Sequence, residues 1–199
     1  MNDIYKKIWK LAKPYYEKGR SYDIPHVEWM MEEVDQLADE ESLDKRLLLP
    51  LVILHDVGYS EVDEKNPNIK SKDSKTVHMK AGARISRAIL NQVNYDPNLA
   101  ERIVHYISVH DNWLFGDDSP YQECKEMAAF NDLDFLWPTT SFGMFKTMAE
   151  SMWKTPEEFY DFWIQDEKLV RRPFCCDRTR EMWDSSIKEI KRILDGGQN

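Results

Sequence analysis

LPLVILHDVGY, residues 49–59, is the stretch on which the reading of this chain turns. An apolar run ends in the pair His55–Asp56, followed by Gly58. His55 stands four residues after Leu51 and three after Val52, and Asp56 four after Val52. The spacing therefore predicts a helix whose buried side carries both polar residues near its end, where Gly58 can stop it. A buried imidazole or carboxylate is costly unless it is paired or coordinated, which directs attention to the other histidines.

There are only five. His26 shares a helix face with Met30 and Leu37, His110 continues the stripe of Ile103 and Ile107, and His78 falls on the face of Gly82 and Ile85. A glycine one turn after His78 lets another backbone or an ion cluster come close. His105, by contrast, precedes His110 by five residues, roughly 140° around a helix, and is assigned a supporting or structural role. For a single histidine, a hydrogen-bonded core role is the better reading. Four that face inward on successive helices, with a carboxylate beside one of them, point to metal. Imidazole and carboxylate without thiolate suit iron, manganese, zinc, nickel or cobalt, and three cysteines are too few for a four-cysteine zinc site.

The carboxylate completing such a set lies in EMAAFNDLDFL, residues 126–136, where Asp132 and Asp134 compete. Asp134 follows Met127 and Phe130 at offsets of seven and four, whereas Asp132 follows Lys125 and Ala128. Asp134 is preferred, with Asp132 as the alternative.

Working outward, helical periodicity dominates: apolar positions recur in the first twelve residues, over 27–38, 47–55 and 103–110, with further candidates at 77–91, 121–136, 156–170 and 179–194. No stretch alternates with period two. The expectation is an all-α bundle of seven to nine helices forming one domain over 1–199, with a motif core at about 20–137 and C-terminal helices over 142–195 packing on it. Breaks fall at 19–25, 58–75, 94–97, 115–120 and 137–141; the longest, 58–75, is polar and follows the His–Asp pair directly, as binding loops often do.

A net charge of −9 argues against duplex nucleic acid as a partner, while a metal can reverse the local sign for a small anion. Three cysteines, two of them adjacent at Cys175 and Cys176, fit reduced thiols. No stretch approaches the ~18 apolar residues of a membrane span, so the expectation is a cytoplasmic protein without membrane contact.

In this order the motifs resemble those of the HD-domain metal-dependent phosphohydrolase superfamily. YDIPHVEWM is similar to its first histidine motif and LVILHDVGY to the His–Asp motif. VHMKAGARI and ISVHDNW resemble the later histidine motifs of two-metal members, and EMAAFNDLDFL the segment with the distal aspartate. The sequence departs from the family at three places: Leu133 replaces the usual alanine before the distal aspartate. Asp23 stands where some relatives carry a histidine general acid, and Tyr59 where some single-metal nucleotidases carry glutamate.

The resemblance implies a helical bundle with one ion held by His26, His55, Asp56 and Asp134. It further implies a second ion at His78 and His110, bridged to the first by Asp56. Metal-activated water would then attack phosphorus in a small phosphorylated, nucleotide-like substrate, with Asp56 as the catalytic carboxylate. Arg20 and, on the long loop, Lys72 and Lys75 are the candidate phosphate-positioning cations, whereas Lys80 and Arg84 lie some 160–120° from His78 and are read as surface. The rival readings are a di-iron oxygenase of the same superfamily and a non-catalytic metal or nucleotide sensor.

Overall fold

The computed structural model describes residues 2–62 and 72–197. The described residues form an all-α structure: nine α-helices of eight residues or more, one single-turn helix and five short 3-10 turns, with no strand among them. The chain divides into two compact units, residues 1–130 and 131–199.

The first unit is built around α3 (Lys45–Leu54), in which every residue from Leu47 to Leu54 is buried. α1 (Asp3–Lys18) buries Ile8, Ala12 and Tyr16, and the Tyr16 hydroxyl donates to the carbonyl of Ile53 at 3.0 Å. α2 (Ile24–Glu41) buries Val27, Met30, Val34 and Leu37, an apolar face one turn apart at each step. Pro50, inside α3, has no N–H for the carbonyl of Arg46; the Tyr95 hydroxyl donates to that carbonyl instead, at 2.6 Å. α4 (Lys72–Gln92) and α5 (Pro97–Val109) follow, the latter capped by Asp96, whose carboxylate accepts from the Leu99 N–H at 2.9 Å. α6 (Lys125–Leu136) begins in this unit.

The expected break at 58–75 is shorter than its polarity implied. Residues Val57–Glu61 form a 3-10 turn whose first four residues are buried, and α4 starts at Lys72 rather than at 77. Lys72 and Lys75 are therefore helical, while residues 63–71 of that loop lie outside the described residues.

In the second unit, α7 (Phe142–Ser151), α8 (Pro156–Trp163), the single turn α9 (Glu167–Arg171) and α10 (Asp177–Leu194) surround Phe145, Ala149, Phe159 and Ile190. The helix expected over 156–170 is broken after Trp163 and restarted at Glu167 by the Asp166 cap, whose carboxylate accepts from the Lys168 N–H. The capping box of Thr155 and Glu158 starts α8. The three cysteines are unbridged. No helix among the described residues is long and apolar enough to cross a membrane.

Candidate metal centre

His55 and His110 are placed by the same local device. Each is the residue at which its helix, α3 or α5, ends. Each ring turns Nδ1 back onto the carbonyl three residues earlier, Val52 for His55 and Ile107 for His110, both at 2.8 Å. A carbonyl only accepts, so Nδ1 carries a proton and Nε2 is the nitrogen turned to the interior of the site.

Both Nε2 atoms lie beside Asp56. Its Oδ2 lies 3.4 Å from His55 Nε2, while Oδ1 lies 3.5 Å from His110 Nε2 and 3.4 Å from His78 Nε2. The two imidazole Nε2 atoms of His78 and His110 are 3.1 Å apart. Asp56 Oδ1 and the Nε2 atoms of His78 and His110 so form a compact triangle. Three atoms spaced in this way lie on a circle of radius about 1.9 Å, close to the 2.0–2.1 Å of a metal–imidazole bond. Asp56, His78 and His110, all buried, form one group able to hold an ion, and Asp23, His26 and Asp56 form another. Asp56 belongs to both, and so has the position of a bridging carboxylate.

The backbone explains why these residues meet. α4 crosses the 3-10 turn after Asp56 so closely that a Cβ on Gly58 would lie 2.5 Å from the Gly82 nitrogen and 2.8 Å from the His78 carbonyl carbon. One on Gly82 would lie 3.1 Å from Ile107 Cγ2. It is the missing side chain of Gly58 that admits the α4 backbone; at Gly82 a Cβ would meet the backbone of His55 and Gly58 only at ordinary contact distance. The Tyr59 ring stacks on His78 at 4.2 Å, and Phe130 meets His55 edge-on at 5.2 Å.

Two cations stand beside the cluster. Arg20 packs its guanidinium 4.1 Å from the Tyr59 ring centroid and donates to Asp23 Oδ1 at 2.8 Å. Lys75, on the first turn of α4, donates to Asp111 Oδ2 at 2.7 Å. Against the effect of burial, Asp23 and Asp56 hold Arg20 above its ordinary value, and Asp111 does the same for Lys75. Burial opposes ionisation of Asp56, yet His55, His110 and His78 hold it well below the usual carboxylate range. Burial, then the neighbouring His55, lowers His26 to about 3; burial lowers His78 as well. Both imidazoles are thus neutral, the state in which they ligate metal. The donor geometry of Asp56, His78 and His110 suits a cation.

The remaining predicted residues fall as follows. Lys72 is exposed, 5.6 Å from the Phe115 ring, and does not join the cluster. His105 does not either: it is exposed on α5, beside Glu123. Asp132 has both oxygens engaged within the second unit: Oδ1 accepts from Lys168 Nζ at 2.7 Å, and Oδ2 from Thr179 Oγ1 at 2.7 Å and the Cys175 N–H at 2.8 Å. Asp134, half-buried, lies one turn beyond Phe130 on the same helix.

Two participants escaped the sequence reading. Asp111 lies 3.4 Å from His78 Nε2 as well as bonding Lys75. Its signal was the second His–Asp dipeptide, 110–111, which repeats 55–56 at the end of another helix. Asp23 was seen only as the replacement for a missing histidine. No family model, curated protein or solved structure matches this chain.

Proposed function

We propose that this chain is a metal-dependent phosphohydrolase of the HD-domain kind, cleaving a phosphate ester or anhydride of a small nucleotide-like substrate at a two-metal centre. The observation that carries the reading is Asp56, with Oδ1 facing His78 and His110 and Oδ2 facing His55. In this reading His26, His55, Asp56 and Asp134 hold one ion, and Asp56, His78 and His110 the other. Asp134 takes this role rather than Asp132, whose oxygens Lys168, Thr179 and the Cys175 N–H already engage. The ions are iron, manganese, zinc, nickel or cobalt.

Bound there, the metal pair supplies an acidified water as nucleophile and positive charge for the phosphoryl oxygens. The residues supply position. Asp56, with Oδ1 beside His78 and His110 and Oδ2 beside His55, would be a ligand shared by both ions. Arg20 and Lys75 stand on either side of the turn that carries Asp56 in the chain and present charge to a phosphoryl group. Asp23 and Asp111 hold those two cations in place. Tyr59 supports both the Arg20 guanidinium and the His78 ring, so metal ligand and phosphate grip share one side chain.

The test begins with elemental analysis of protein purified without chelator or added metal, followed by assay of nucleotides, phosphomonoesters and phosphodiesters with oxygen present and absent. Close to two transition metals per chain, with oxygen-independent release of phosphate or pyrophosphate, is the expected result. Turnover only with oxygen would replace the reading with a di-iron oxygenase. Saturable binding without product would replace it with a sensor. Absence of metal even after reconstitution would end the metalloenzyme reading.

A further inference from the structure

We propose that Asp23 is a further ligand of this metal centre, its carboxylate binding the ion held by His26 and Asp56. The inference rests on the metal centre proposed above and adds a ligand to it.

Asp23 occupies the position immediately before α2, where an aspartate ordinarily accepts a hydrogen bond from the first turn of the helix. It makes no such bond. Pro25 removes one donor of that turn, and the carboxylate is instead engaged elsewhere. It is only 3% exposed. Oδ1 accepts from Arg20, whereas Oδ2, also buried, has no hydrogen-bond partner among the described residues. A carboxylate oxygen out of water and without a donor is costly.

An Asp23 oxygen, an Asp56 oxygen and a His26 nitrogen all lie within 4.8 Å of one another. Two buried carboxylates this close repel, and Arg20 is bonded to only one oxygen of the pair. An ion between Asp23, His26 and Asp56 would satisfy the stranded oxygen and separate the two negative charges. The ion pair with Arg20 leaves both problems standing. Adding Asp23 also makes the donor set of this position richer in oxygen, which favours a harder ion, manganese or iron(II), over zinc.

The experiment is titration of chelator-stripped protein with manganese(II), and separately with zinc(II), in the parent and in the Asp23→Asn, Arg20→Ala and Asp56→Ala variants. Asparagine serves equally well before a helix, so a melt monitored by circular dichroism checks that Asp23→Asn folds. The expected result is about tenfold or greater loss of manganese affinity at one position in Asp23→Asn, a size common for groups around a metal. Zinc should be less affected, and Arg20→Ala, which frees Asp23 from a competing cation, should bind manganese at least as tightly as the parent. Cobalt(II)-loaded parent and Asp23→Asn should differ in their visible ligand-field bands. Parent-like manganese affinity in Asp23→Asn, loss of affinity in Arg20→Ala of the same size, or unchanged cobalt bands would each overturn the proposal. If the parent binds metal, Asp56→Ala does not, and Asp23→Asn matches the parent, the additional ligand fails while the metal centre stands. If the parent binds none, the metal centre itself fails.

Discussion

The backbones of Gly58 and His78 touch: a methyl group on Gly58 would be driven into the carbonyl of His78 and the nitrogen of Gly82. The helix that delivers His78 is therefore registered against the turn that delivers Asp56 by the absence of a side chain. Gly58→Ala should push α4 away, at a cost of about 1–3 kcal/mol for overpacking. It should melt at lower temperature and bind the ion at His78 and His110 more weakly. An unchanged melt would mean that the crossing has slack.

Asp56→Ala and His55→Ala should strip metal from the protein, while His105→Ala, a change on the solvent face of α5, should retain all of it. Metal content per chain decides this. Loss in the His105 variant alone would overturn the assignment.

His78→Ala removes a donor that faces Asp56 Oδ1 but is not in the group of His26. It should lower the content to one ion per chain. Arg20→Ala and Lys75→Ala should keep both ions and raise KM for a phosphorylated substrate.

Acid stability carries two opposed contributions. His26, held down to about 3 chiefly by burial, refuses a proton that the unfolded chain takes near 6.5; stability from this source falls as pH drops from about 6.5 towards 3. His78 is shifted in the same direction. Asp23 is pushed up to about 7 by burial, against the pull of Arg20. The folded form therefore binds that proton first, and stability from this source rises as pH falls from about 7 to 4. Denaturant melts of metal-free protein should show Asp23→Asn losing stability on acidification more steeply than the parent. Parallel profiles would contradict the opposition.

The pair Lys168–Asp132 is fully buried, and Lys168 lies 4.7 Å from the Phe174 ring centroid and 5.4 Å from that of Phe135. Breaking such a pair leaves an uncompensated charge, so Asp132→Asn should cost about 3–5 kcal/mol. Asp132→Asn combined with Lys168→Met should recover part of the loss in a double-mutant melt, with metal content unchanged. Metal loss from Asp132→Asn in a protein that still folds would return Asp132 to the centre.

The all-α class was legible because the apolar residues of α2, α3 and α5 repeat at helical spacing. The inward placement of His26, His55, His78 and His110 followed from the same period. Periodicity does not read pairs that form across the chain. The bond from Lys75 to Asp111, the stacking of Arg20 on Tyr59, and the engagement of Asp132 by Lys168 and Thr179 depend on contacts 36 to 47 residues apart or on a turn's exact path. The 3-10 turn after Asp56 was hidden for another reason: its sequence, GYSE, reads as loop, and its burial comes from the close approach of α4 and of Gly19.

The bonds from His55 and His110 to the carbonyls of Val52 and Ile107 have a consequence for how such a centre endures. Carbonyls in the last turn of a helix lack an intrahelical donor, so each ring caps its own helix and has its proton position assigned in the same contact. Metal-ligating histidines usually depend on a carboxylate, a carbonyl or a water to orient them, and a side-chain orienter can be deleted by one codon change. Here the orienter is main chain, present whatever residue occupies 52 or 107. For these two histidines, the supporting contact has no side chain that mutation can remove.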